Sequence, residues 1–119
     1  MLASYAEDSG TEYTIPNNVK EIGGHVFDGF NDLTHIDIPD GVTIIGYSAF
    51  QSCSSLTSIT IPDSVTDIQS QAFIWCYALK NVTIGNGVKI IGQFAFRGCP
   101  ISSLAIPDNV IEISRGAFQ

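Results

Sequence analysis

Apolar residues return along this chain at a fixed step. Ile15, Ile38, Ile61, Ile84 and Ile106 each precede a Pro or a Gly, and their intervals are 23, 23, 23 and 22 residues. Phe27, Phe50, Phe73, Phe96 and Phe118 keep the same intervals. Leu56 to Cys76 is the clearest copy of the unit. A period in the twenties marks a solenoid, in which each unit buries its apolar face only against its neighbours.

Within the unit, Leu33, Leu56 and Leu79 share one lane, joined by Ile101 after a one-residue deletion. Ile36, Ile59, Val82 and Leu104 share the next. The alternation across Ile59, Thr60 and Ile61 predicts a short strand with one face in the core. Because that strand recurs once per coil in one direction, the sheet is expected to be parallel. A turn follows each strand, as in Pro39-Asp40-Gly41 and Pro62-Asp63-Ser64. Proline withdraws a ladder donor, and Asx or Gly supplies the bend. Pairs spaced by three, such as Val42/Ile45 and Val65/Ile68, predict a brief extended or irregular segment on another side. Ala49-Phe50 and Ala72-Phe73, each with Cys three residues after the Phe, predict a single helical turn facing inward.

These elements make an α/β solenoid of about five 23-residue coils around one core. Its coils run roughly over 13–32, 33–55, 56–78, 79–100 and 101–119, the last incomplete, after a lead-in or cap over 1–12. The sequence ends inside the fifth repeat, where apolar surface and a strand edge would stand open. The expectation is that the natural protein continues, or that this end pairs with another chain in self-association.

Composition narrows the function. The formal net charge is −7, which repels phosphate backbones and anionic lipid heads and argues against nucleic acid as a partner. No run of 18 apolar residues exists, so no membrane-inserting helix is expected. The first residues carry no basic and apolar export signal. Cys53, Cys76 and Cys99 stand at repeat spacing without a Cys-x-x-Cys pair. Phe30 fills the same slot in the first coil, so these cysteines read as free, buried fillers rather than zinc ligands.

The lanes Leu-x-x-Ile-x-Ile-Pro-x-x-Val-x-x-Ile-Gly-x-x-Ala-Phe-x-x-Cys, carried best by Leu33 to Cys99, resemble the BspA-type leucine-rich repeats. The resemblance implies a right-handed superhelix with a parallel sheet on its concave side. It further implies a secreted or cell-surface protein of a host-associated bacterium or a protozoan, acting in adhesion to host matrix or cell-surface protein.

Candidate chemistry is sparse. His35, Asp37 and Ser58 could share an outward face, yet a triad needs a pocket and oxyanion donors that the pattern does not supply. The Asx lane of Asn17, Asp40, Asp63, Asn86 and Asp108 is explained by turn formation without calcium. The reading is therefore non-enzymatic, with no cofactor and no metal. Alternation turns two lanes of the strand face outward. They contain His35, Asp37, Ser58, Thr60, Asn81 and Thr83, an adaptable hydroxyl-rich surface for an extended partner. A second candidate is Ile74, Trp75 and Tyr77, where one coil replaces small or polar lane-mates with large side chains. Trp and Tyr are favoured interface anchors. The alternative function is a structural spacer that displays another domain and has no ligand of its own.

Overall fold

The computed structural model describes residues 11–119. The lead-in expected over 1–12 lies, up to residue 10, outside the described residues. Ten short strands alternate between two sides of the coil. On the first side are β1 (Glu12–Thr14), β3 (His35–Asp37), β5 (Ser58–Ile61), β7 (Asn81–Ile84) and β9 (Ser103–Ala105). On the second are β2 (Glu21–Ile22), β4 (Ile44–Ile45), β6 (Asp67–Ile68), β8 (Ile90–Ile91) and β10 (Glu112–Ile113). All pairings are parallel and in register with the sequence repeat, for example Ile59 opposite Val82 and Ile45 opposite Ile68.

The two sides differ in continuity. The second side is one sheet in the order β10-β8-β6-β4-β2, although each strand has only two residues. The first side is divided into β1-β3 and β5-β7-β9, with β3 and β5 adjacent but unpaired. The N–H of Thr34 donates to Thr11, that of Lys80 to Thr57 and that of Ser102 to Lys80. Among the described residues, Thr57 and Thr34 lack the corresponding bond. The expected parallel sheet is thus present but split, and the segment expected to be extended or irregular is extended and carries the unbroken ladder.

The third side corrects the expectation of single helical turns: no helix is present among the described residues. It is a string of overlapping β-turns. In one coil, Ala49 N–H donates to Gly46, Gln51 to Ser48, Cys53 to Phe50 and Leu56 to Cys53. Two residues per coil break any helical run by taking positive φ, such as Ser48 at 54° and Ser52 at 59°. The neighbouring coil sets this geometry, because Ser48 N–H donates to Ser70 and Phe50 N–H to Ala72. A helix would turn those donors along its own axis instead.

The core follows the sequence lanes. Phe27, Phe50, Phe73 and Phe96 are fully buried and stack with centroid separations of 5.0, 4.9 and 5.1 Å. That spacing is the strand-to-strand distance of about 4.7–4.9 Å carried into the core. Cys53 and Cys76 are buried beside it.

Candidate functional site

A groove of about 530 Å³ lies on the first strand side, lined by residues of β3, β5 and β7 and of the turns that follow them. It brings together His35, Asp37, Ser58, Thr60 and Thr83, five of the six strand residues that alternation had turned outward. Asn81 is exposed but lies outside the lining, one pair from it in register with Ser58. Asp40, Asp63 and Asn86 close one end. Sequence reasoning took that lane as turn formers only. What it missed is that the turns overhang the same groove.

Local folding positions each polar group. His35 and Asp37 are two residues apart on β3, so both face outward, and His35 Nε2 lies 2.9 Å from Asp37 Oδ1. Thr14, one coil earlier, donates its hydroxyl to the other oxygen of Asp37 at 3.3 Å. Asp63 accepts from the N–H of Asn86 at 2.8 Å, which ties one turn to the next. No cluster of three potential metal ligands occurs among the described residues. The groove contains acceptors and hydroxyls, with Asp37, Asp40 and Asp63 and no Lys or Arg in its lining. His35 and Asp37 are both largely exposed, and among the described residues no hydrogen bond carries the pair on to Ser58. This arrangement can hold hydrogen-bond donors and cationic groups. It offers no activated nucleophile.

The second candidate lies on the turn side and divides. Ile74 is 4% exposed, whereas Tyr77 is 62% exposed. Trp75 is half-buried and has φ of 63°, in the lane where Gly29 and Gly98 take 80° and 81°. Its indole stacks with Tyr77 at 6.1 Å between centroids. Arg97 of the next coil places Cζ 5.2 Å from the indole centroid and 5.0 Å from that of Phe94. Sequence reasoning sets against a contact site the alternative that these residues pack over their own turn or bridge to Phe94 on the next coil, while Arg97 enters it only as a lane-mate of Ile74. The signal that could have found Arg97 is a lone cation beside the one lane interrupted by aromatics.

The Cys ladder does more than fill space. Cys53 Sγ–H donates to the Phe27 carbonyl at 3.1 Å, and Cys76 does the same to Phe50. The adjoining Cys53 thiol and burial push the Cys76 thiol well above its ordinary value. Cys76 and burial do likewise for Cys99.

Stacked parallel strands, a repeat in the low twenties and an inward lane of Leu and Ile define a leucine-rich-repeat solenoid. The chain belongs to the BspA-type leucine-rich repeat family, whose model matches six copies over residues 3–119. No curated protein sequence matches it. Solved structures are similar, three of them as follows. A leucine-rich repeat protein of Treponema pallidum is 29% identical with a TM-score of 0.88, over 92% of this chain and 54% of the other. One from Bacteroides ovatus is 29% identical with a TM-score of 0.81, over 87% of this chain and 27% of the other. A leucine-rich cell-surface protein of Faecalibacterium prausnitzii is 29% identical with a TM-score of 0.66, over 92% and 39%. The chain therefore spans about half or less of the length of these relatives.

Proposed function

We propose that this chain is a non-enzymatic protein-recognition module of a secreted or cell-surface protein, and that it takes an extended segment of a partner in the groove lined by β3, β5 and β7. The interrupted ladder carries this reading. The groove beside it has a volume of about 530 Å³, and side chains of alternating positions on β3, β5 and β7 line it. Asp37, Asp40 and Asp63 favour a segment bearing Lys or Arg, in keeping with the net charge of −7. A surface location is supported by the similar protein of F. prausnitzii, which is itself described as a cell-surface protein. Adhesion to host matrix or cell-surface protein is the role this reading assigns.

The test is solid-phase binding to a panel of extracellular matrix proteins, run beside the double variant Asp37→Lys/Thr83→Lys. Both positions are exposed, so the variant should fold. Saturable binding that the variant loses, and that weakens with added salt, is the expected result. Binding that survives the variant removes the groove from the reading. No binding to any matrix protein favours the spacer.

A further inference from the structure

The chain has 12 acidic and five basic residues, yet among the described residues the only ion pairs are His25 with Asp28 and His35 with Asp37. Four of the five cations reach into solvent, on exposed side chains. Arg97 does not. It is half-buried, and its Cζ lies over both the Trp75 indole and the Phe94 ring, about 5 Å from each centroid. Trp75 takes a left-handed φ of 63°, as Ser52, Gly29 and Gly98 of its lane also do. Gly98 also has to lack a side chain, since a Cβ there would lie 2.5 Å from the indole Cε3. Phe94, likewise at positive φ, lies over Gly116 in the same way.

We infer that the Trp75–Arg97–Phe94 stack, with Tyr77 beside it, is a second contact surface that binds an exposed carboxylate of a partner protein. Arg97 Cζ lies over both rings, and among the described residues no side-chain hydrogen bond or ion pair occupies its N–H groups, which are the donors a planar, two-point acceptor takes. Because the rings hold Arg97 in place, less side-chain freedom is lost on binding. Trp, Tyr and Arg are also the residues that most often dominate protein contacts. A stacked sugar is less well served, because Tyr77, Arg97 and Gly98 already lie against the indole. The net charge of −7 repels a heavily acidic partner, so the segment that fits carries an isolated Asp or Glu among apolar residues. The inference rests on the reading of the chain as a protein-recognition module but uses a different side of the coil.

The experiment is an NMR titration of the whole chain with the capped peptide acetyl-Ser-Leu-Glu-Tyr-Ser-amide and with its Gln counterpart. The chain has one Trp, so its indole N–H resonance reports Trp75 directly. The Arg97 Nε–H is separated from that of Arg115 by the variant Arg97→Gln. Saturable movement of both resonances by the Glu peptide is expected, roughly threefold tighter than by the Gln peptide, which is the scale of a part-exposed charge pair. Arg97→Lys keeps the charge but not the plane, and should lose that preference while the thermal unfolding midpoint stays close to the parent. Equal response to the two peptides, or no saturable shift up to millimolar peptide, overturns the inference. Repeating the titration with Asp37→Lys/Thr83→Lys separates the two surfaces: an unchanged response keeps this site whatever becomes of the groove, and a lost response overturns its independence.

Discussion

Each Cys of the ladder meets two demands with one small side chain. Its volume fits the narrow slot beside the phenylalanine stack, and its S–H satisfies a second lone pair on a carbonyl that already accepts one backbone bond. The Phe50 carbonyl, for instance, takes both Cys53 N–H and Cys76 Sγ–H. An apolar filler alone would leave that second bond unmade. The chemical consequence is a pair of inert thiols, since the thiolate is the nucleophile and the fold disfavours it. The pH dependence follows in sign. Below about pH 9 the thiols of Cys76 and Cys99 are protonated in both folded and unfolded chains. Above it the unfolded thiols ionise while the folded ones keep their protons. The unfolded state then binds fewer protons, and stability falls as pH rises. Urea unfolding followed between about pH 8 and pH 10.5 should show a falling midpoint, and the fall should be shallower in Cys76→Ala/Cys99→Ala. Equal slopes in the two proteins would mean that other groups carry the dependence.

Among the elements, the strands and the turn strings are held by different things. Neighbouring coils approach to backbone distance, so a lane facing the coil above has room for glycine only at certain points. Gly87 is one: a Cβ there would run into the Asp63 carbonyl oxygen. Gly87→Ala should therefore push the β7 coil away from the β5 coil and destabilise the chain by more than about 1 kcal/mol, read from the urea midpoint. An unchanged midpoint would show that the turn shifts at no cost. The apolar lanes were legible because burial depends on residue type. The turn side was not, for a physical reason. His25, Ser48, Gln71, Phe94 and Gly116 share no chemistry, yet all adopt positive φ. The N–H groups of His25, Ser48, Gln71 and Phe94 hydrogen-bond to the next coil, as Gln71 does by donating to Gln93, and these bonds select that conformation. Intrinsic preference is overridden by stacking, so Ala-Phe-x-x-Cys looks like a helical turn in isolation and is not one in the stack.

For the molecule as a whole, stacking also decides which apolar side chains remain uncovered. Leu104, Ile106 and Ile113 occupy lanes whose earlier members, such as Val82, Ile84 and Ile91, are buried, but they are themselves 38%, 40% and 49% exposed. We propose that these side chains offer a contact face to a second copy of the chain. Sedimentation equilibrium should show a mass rising above the 12.8 kDa monomer with concentration. The variant Ile106→Lys/Ile113→Lys should stay near the monomer. A wild-type chain that is monomeric throughout would count against self-association through this face.

The residues alone settled the period, the inward lanes, the parallel direction and the outward position of His35, Asp37, Ser58, Thr60, Asn81 and Thr83. All of these follow from side-chain type and spacing, because burying apolar groups is a local demand repeated once per coil. Only the tertiary structure decided that the ladder breaks between β3 and β5, that the two-residue strands form the continuous sheet, and that Ile74 turns in while Arg97 lies over Trp75 and Phe94. Those outcomes depend on distances between coils 22 or 23 residues apart in sequence, where hydrogen-bond geometry and ring packing act across the stack and leave no mark in any single repeat.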